Sequence, residues 1–184
     1  MRVLAIDGAL YDVGLALVEH THTGEERLLW HAEWNLQGET YDQRICNFDR
    51  RIRIALDDIT ATTPLDAIIA EEFLYVEKPV RILVGFAGFR AVIALLANSG
   101  YLVQFVSAVA WQRDTLGRYG QYAAGKKRQA RTYVEQVLHK RIAWDSRLSN
   151  DGTRGGHDSD AAAMGLWWLS KQHILAQEYL PARA

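Results

Sequence analysis

Acidic residues and one histidine stand at places in the sequence where secondary structure is predicted to begin or end. The set comprises Asp7, Glu71, Glu72, His157, Asp158 and Asp160. Carboxylates brought close together repel one another, and a divalent cation removes that penalty. Oxygen-rich ligation suits Mg²⁺ or Mn²⁺, and the lack of cysteine partners argues against structural zinc. Two such ions about 3.5–4 Å apart support in-line attack of water on a phosphodiester, so the pattern indicates metal-dependent hydrolysis of that bond.

Three of the acidic residues lie at the ends of two short apolar runs that are typical of strands. Asp7 ends the run at 2 to 7, and Glu71 and Glu72 lie at the end of the run that starts at 65. Because side chains alternate along a strand, only one of the two glutamates can face Asp7. Local order favours Glu71, and a one-residue bulge would reverse that choice in favour of Glu72.

The other candidates open the stretch RGGHDSDAAAMGLWWL at 154 to 169. His157 and Asp160 are three positions apart and share one face of a helix, whereas Asp158 points about 100° away from His157. His157 and Asp160 are therefore the favoured pair, with His157 either a metal ligand or a base and Asp158 a candidate additional acid. Taken singly, each residue is explained as well by a turn, a strand end or a helix cap, so the prediction depends on their combination.

The periodicity of apolar residues predicts the elements that position these side chains. In order, they are strands at 2 to 7, 14 to 20 and 28 to 36, a helix at 41 to 59, a strand at 65 to 73, a helix at 80 to 99 closed by Gly100, a strand at 101 to 108, and helices at 109 to 116, 126 to 138 and 159 to 177. Residues 117 to 125 are expected to form a loop and 142 to 156 a polar linker. This order predicts an α/β fold, with a mixed five-stranded sheet flanked by helices. Ligand sites collect at strand ends in such sheets.

Composition bounds the class of protein. The 184 residues predict one domain over 1–184, and 49% apolar with 23% charged residues excludes the disordered classes. The single cysteine, Cys46, excludes an internal disulfide and favours a cytoplasmic location. No apolar run approaches the ~20 residues that span a membrane, so no membrane association is expected. The net charge of −1 hides basic stretches at 44–53 and 113–141, which form either a basic surface around the acids or scattered solvated faces.

Four motifs, taken in order, resemble those of the RuvC-type Holliday junction resolvases of the ribonuclease H-like superfamily. VLAIDGALYDVGLALVE is similar to the first hairpin of that family, LDAIIAEEFLY to its fourth strand, GKKRQARTYVEQVL to its basic helix and GHDSDAAAMGL to the motif with its last two metal ligands. The resemblance covers nearly the whole chain and implies one ribonuclease H-like nuclease domain. It also implies that Asp7, Glu71, His157 and Asp160 are the catalytic metal ligands. The family usually has Asp-Pro-Gly at the first motif, where this chain has Asp7, Gly8 and Ala9.

The same resemblance implies an activity and partners. We expect a cytoplasmic homodimer, in the host cell if the gene is phage-encoded, that binds four-way DNA junctions and nicks two strands symmetrically. Two Mg²⁺ ions per active site are expected, with Mn²⁺ able to substitute, and no accessory branch-migration protein can be named. In the family, an aromatic wedge follows the second acid, and its candidates here are Phe73, Leu74 and Tyr75. The expected DNA-binding residues are Arg113, Arg118, Lys126, Lys127, Arg128 and Arg131.

Other functions account for parts of the same sequence pattern. A nuclease of the same superfamily that acts on other branched DNA or on structured RNA would share the metal site, so no acid distinguishes it. Sugar kinases and actin-like ATPases also begin with a strand, an acid and a glycine-bearing hairpin, but they need a second, duplicated domain, and 184 residues leave no room for it. A binding module without catalysis is disfavoured by the complete set of acids.

Overall fold

A computed structural model describes residues 1–8, 10–61, 63–72, 79–116, 126–147 and 155–179, and their side chains except those of Arg81, Lys126, Lys127 and residues 174–179. The strands it describes are β1 (Arg2–Gly8), β2 (Asp12–His20), β3 (Glu26–Asn35), β4 (Ala67–Glu72) and β5 (Val103–Ser107). They form one sheet in the order β3-β2-β1-β4-β5. The first three strands are antiparallel, β4 is parallel to β1, and β5 is parallel to β4. The predicted mixed five-stranded sheet is confirmed.

Helices cover both faces of the sheet. They are α1 (Tyr41–Thr60), α2 (Val80–Leu95), α3 (Ala108–Leu116), α4 (Lys126–Val137) and α5 (His157–Tyr179). A capping box fixes the start of α1. The Thr40 side chain accepts from the Gln43 backbone N–H, and the Gln43 side chain accepts from the Thr40 backbone N–H. A 3₁₀ turn continues α2 to Gly100, which has a φ of 90° as expected of a glycine that ends a helix.

The two faces of the sheet carry separate apolar cores. Helices α1 and α2 pack on one face around Phe48, Ile52 and Phe89. Helices α3, α4 and α5 pack on the opposite face, which we call the α5 face; the core there includes Trp111 and Val134. Because odd and even positions alternate along a strand, each strand contributes side chains to both cores.

Small residues let α5 lie close to the central strands. Ala161, Ala162 and Ala163 are fully buried. A Cβ atom on Gly165 would lie 2.7 Å from Val18 Cγ2 and 3.2 Å from the Ala5 Cβ. The AAAMG sequence is therefore the contact between α5 and the β1–β2 hairpin, which holds the start of the helix over the strand ends.

The start of α5 differs from the prediction by two residues. The helix begins at His157, whereas the periodicity predicts position 159. Gly155 and Gly156 have φ values of 74° and 75°, a left-handed conformation that L side chains rarely adopt. The Asp160 backbone N–H and the Ser159 hydroxyl both donate to the Gly156 carbonyl, at 3.1 Å and 2.7 Å. The two glycines thus turn the chain into the helix immediately before His157.

The segment 82–99 corrects one expectation. Its length and apolar composition are those of a helix that could cross a membrane, and 22% of it is buried. The sequence does not present this segment as one continuous apolar run, because Arg90 interrupts it. In the structure, Arg90 lies 3.5 Å from Glu72 and 4.0 Å from the Phe105 ring. Because Phe89 and Ile93 are buried in the sheet core, we interpret α2 as a sheet-packing helix with an apolar outer face.

Candidate active site

Asp7 and Glu71 lie side by side at the ends of neighbouring strands. Ile6 is the register partner of Ala70 in the parallel pair, so the next residues along the two strands are Asp7 and Glu71. Ala5 and Val3, two and four positions before Asp7, pack in the core of the α5 face. Asp7 therefore belongs to this face, where its exposed fraction is 7%.

The choice between Glu71 and Glu72 follows from the register with β5. Glu71 is the partner of Val106, whose side chain is buried in the core of the α5 face. Glu72 points to the opposite face, where its carboxylate lies 3.5 Å from Arg90 on α2. Glu71 is thus the glutamate that shares a face with Asp7, and the continuous register of β4 shows no bulge to reverse it.

The start of α5 rests directly on the strand opposite Asp7. Gly14 is the register partner of Asp7 in the β1–β2 hairpin. A Cβ atom on Gly14 would lie 1.9 Å from the His157 carbonyl carbon and 2.5 Å from the Asp158 backbone nitrogen. This contact brings His157 Nδ1 to 2.8 Å from Asp7 Oδ2, across 150 residues of sequence.

Asp160 completes the group on the same face of the helix. It lies one turn after His157 and is 7% exposed. Acidic side chains in the first turn of a helix are stabilised by the helix dipole, which favours carboxylates at this end of α5. The structure therefore places Asp7 and Glu71 at neighbouring strand ends and His157 and Asp160 on the first turn of the helix that begins beside them. Their role as metal ligands stays a prediction.

The donor chemistry of this group fits a hard divalent cation. It offers three carboxylates and one imidazole, and the mutual repulsion of the carboxylates favours binding of a cation. In the described part of the chain, no three His, Cys, Asp or Glu side chains are arranged as they stand to hold a metal ion. His157 instead hydrogen bonds directly to Asp7. Binding of a cation between these two side chains requires that bond to open.

Asp158 is turned away from this group and is fully buried. Its carboxylate accepts hydrogen bonds from His31 Nδ1 at 3.1 Å, from the Ser159 backbone at 2.8 Å, and from the backbone and hydroxyl of Ser146. Burial by itself raises the pKa of Asp158, but the hydrogen bonds from His31 and Ser146 outweigh it and hold the pKa below its usual value. Both carboxylate oxygens accept from internal donors, so Asp158 anchors the first turn of α5 to β3 and to Ser146.

Sequence reasoning did not single out the residues that hold the start of α5. Glu33 Oε2 accepts from the His157 backbone N–H at 2.8 Å, and Glu33 and His31 lie on the same face of β3. Burial raises the pKa of Glu33, and the hydrogen bond from His157 offsets part of that effect. Ser146 lies in the predicted polar linker but is only 5% exposed. Strand alternation could have grouped His31 with Glu33, but no local signal marks Ser146.

The expected DNA-binding residues have different surroundings. Arg113 is exposed, with its Nε 3.4 Å from Asp114, and Arg128 is exposed on α4. Arg131 is partly buried and donates to the Ser146 carbonyl and hydroxyl, both at 2.6 Å. Lys126 and Lys127 begin α4. Arg118 and the wedge candidates Phe73, Leu74 and Tyr75 lie outside the described residues.

Comparison with known proteins identifies the fold. No family model and no curated protein matches the sequence. RuvC of Thermus thermophilus, solved in complex with a Holliday junction substrate, superimposes with a TM-score of 0.69 at 16% identity, over 95% of this chain and 96% of that chain. The yeast mitochondrial Holliday junction resolvase gives a TM-score of 0.58 at 10% identity, over 97% and 86% of the two chains. The fowlpox virus resolvase, solved with Holliday junction DNA, gives 0.51 at 15% identity, over 92% and 99%.

The chain therefore has the fold of the RuvC-type resolvases over nearly its whole length. The fold implied by the sequence motifs, a ribonuclease H-like mixed sheet flanked by helices, is confirmed. At these identities the superpositions establish the fold alone, and the roles of individual residues stay predictions.

Proposed function

We propose that this chain is a metal-dependent endonuclease that resolves four-way DNA junctions by paired, symmetric hydrolysis of phosphodiester bonds. One observation carries the proposal: the contact between His157 and Asp7, which joins residues from opposite ends of the chain beside Glu71 and Asp160. The same fold is found in resolvases that were solved with junction DNA.

The residues at the strand ends would hold the cations. Asp7, Glu71, Asp160 and His157 supply the ligands, and the bound Mg²⁺ or Mn²⁺ ions would activate the attacking water and stabilise the leaving oxygen. Asp7 and Asp160 are nearly inaccessible to solvent, which strengthens their attraction for a cation. Glu33 and Gly14 fix the backbone of His157, so its ring is aimed at Asp7 before any cation binds.

The proposed contacts to DNA lie on the helices that flank the acids. Arg113 near the end of α3 and Arg128 on α4 are exposed on helices that pack against the face of the sheet with the site, and Lys126 and Lys127 begin α4. Contacts of this kind bind phosphates, so we expect the affinity for junction DNA to fall with salt and to show little dependence on sequence.

We also propose that the active form is a homodimer joined through α2. The outer face of this helix carries an apolar stripe, which consists of Val80, Val84, Ala87, Ala91 and Leu95. The exposed fractions of Val80, Val84 and Leu95 are 75%, 63% and 52%. A second copy of the chain would cover this stripe, since the small side chains of Ala87 and Ala91 permit close packing of two helices. A two-fold dimer also matches a junction substrate that has two-fold symmetry.

Val84→Glu is expected to convert the dimer into a monomer, because it places a charge in the centre of the proposed interface. Sedimentation velocity would show the change, and incision of both strands within one binding event would be lost. Ile54→Glu is the matched control, since Ile54 is an exposed apolar residue on α1, with an exposed fraction of 56%. An unchanged oligomeric state in Val84→Glu would exclude α2 as the interface.

The proposed activity is tested by incubating the protein with a synthetic four-way junction and Mg²⁺ and mapping nicks on each strand. We expect paired nicks on two strands of like polarity, no cleavage of linear duplex, and no cleavage in EDTA. Preferential cleavage of a flap, a three-way branch or a hairpin RNA would assign the same site to another substrate. No cleavage of any of these with Mg²⁺ or Mn²⁺ would contradict the proposal.

A further inference from the structure

A buried network connects the basic helix α4 to the start of α5. Arg131 on α4 donates to the hydroxyl and the carbonyl of Ser146, both at 2.6 Å. The Ser146 hydroxyl donates in turn to the carboxylate of Asp158, whose other oxygen accepts from His31 at 3.1 Å. The network thus runs from a helix of the proposed DNA surface, through one loop residue, to the turn that carries His157 and Asp160.

The chemistry of the network fits a positioning role. A serine hydroxyl donates one hydrogen bond and accepts others, so Ser146 can serve Asp158 and Arg131 at the same time. Asp158 is fully buried, and a buried carboxylate without partners is strongly destabilised. A shift of α4 that withdraws Ser146 therefore also disturbs the first turn of α5.

The backbone before α5 makes such a network necessary. Gly155 and Gly156 precede His157 in left-handed conformations, and glycine gives the chain the greatest conformational freedom. The position of the first turn therefore depends on tertiary contacts. Glu33 and Gly14 supply those on the β-hairpin side, and Asp158 supplies those on the side of α4.

We infer that Arg131, Ser146 and Asp158 form a positioning network that couples phosphate contacts on α4 to the placement of the metal ligands His157 and Asp160. The inference rests on the proposed function and deepens it. DNA bound at α4 holds the network closed and raises the affinity of the site for divalent cation. By linkage, the cation raises the affinity for DNA by the same factor.

The coupling is measured as the ratio of the dissociation constants for junction DNA without and with Ca²⁺, an ion that carboxylate oxygens also bind. A denaturing gel verifies that the DNA stays intact during the measurement. For the unaltered protein we expect Ca²⁺ to tighten junction binding about tenfold, within the usual range of coupling between sites. For Ser146→Ala we expect this ratio to fall to about twofold, with Ca²⁺-free binding changed by less than about threefold, since no DNA contact is removed.

Two further variants separate coupling from general destabilisation. Asp158→Asn is expected to lose the coupling as Ser146→Ala does, and combining the two changes should add little, because both interrupt one network. Arg141→Ala is the matched control, since it removes an arginine that pairs with Glu135 of α4 at 2.8 Å and is highly exposed. Its coupling ratio is expected to equal that of the unaltered protein.

The outcomes distinguish the inference from the proposed function. If the unaltered protein neither binds nor cleaves junction DNA, the proposed function fails. If it cleaves the junction but shows no Ca²⁺-dependent gain in affinity, or if Ser146→Ala keeps the full gain, the positioning network is contradicted. A melting temperature that falls in Ser146→Ala while the coupling ratio stays unchanged also overturns the inference, because it assigns the network to stability alone.

Discussion

Asp7→Asn is expected to lower the rate of junction cleavage by about three orders of magnitude while junction affinity stays within about threefold. The substitution keeps the size of the side chain and removes a charge that would hold the cation. Metal-ion catalysis contributes several kcal/mol to the barrier, and each ~1.4 kcal/mol is a factor of ten in rate. Asp160→Asn should behave in the same way. Single-turnover cleavage and Mg²⁺-free gel-shift assays measure the two quantities.

Asp12→Asn is the matched control for this prediction. Asp12 lies on the same hairpin, five residues after Asp7, and its carboxylate accepts from the Asn35 side chain at 2.9 Å. The Asp12→Asn substitution therefore removes one negative charge near the site and leaves the proposed metal ligands unchanged. We expect it to change the cleavage rate by less than threefold. Comparable losses in Asp7→Asn and Asp12→Asn would show that net charge, and not ligation, is being measured. Full activity of Asp7→Asn would exclude Asp7 from catalysis.

Gly14→Ala is expected to lower cleavage by about 100-fold and the melting temperature by roughly 5–10 °C. The new Cβ atom would lie 1.9 Å from the His157 carbonyl carbon, so the start of α5 must move. Overpacking of this kind typically costs about 1–3 kcal/mol. A displacement of about 1 Å in a catalytic group can lower the rate by two orders of magnitude. Thermal unfolding and single-turnover cleavage give both values.

Gly88→Ala provides the comparison for Gly14→Ala. Its Cβ atom would lie 2.6 Å from Ile45 Cδ1, the far end of a flexible side chain that can rotate away. Alanine also favours the interior of helix α2 over glycine. We expect near-normal stability and cleavage in this variant. If Gly14→Ala were equally tolerated, the close contact between α5 and β2 would not be what places His157.

The sequence carries strong information about elements whose periodicity is local. The helix predicted at 41 to 59 is found at Tyr41–Thr60, because its apolar positions recur every three to four residues and Thr40 begins it with a cap. The predicted end at Gly100 is also found. The predicted start of α5 at position 159 is wrong by two residues, because periodicity does not reveal the left-handed conformations of Gly155 and Gly156.

The sequence predicts candidate ligands, but it says much less about the residues that hold them in place. Alternation along β4 allows only one of the two glutamates to face Asp7, and the register with Val106 shows that Glu71 is the one that shares its face. Asp158 looks like a further acid in the sequence, because its partner His31 is 127 residues away and nothing local marks the pair. The sequence also does not predict the apolar outer face of α2, since apolar residues lie on most sides of this helix and do not show which side is covered.

Asp7, Glu71 and Asp160 are proposed to bind a divalent cation together. Crystals soaked in Mn²⁺, with diffraction recorded near the manganese absorption edge, test it most directly. We predict an anomalous peak about 2–2.5 Å from the carboxylate oxygens of Asp7 and Asp160, with His157 turned from Asp7 toward the ion. The same soak of Asp7→Asn crystals should lose that peak. The proposal would be contradicted if, at saturating Mn²⁺, the site were ordered, the hydrogen bond between Asp7 and His157 stayed intact, and no peak lay beside these carboxylates.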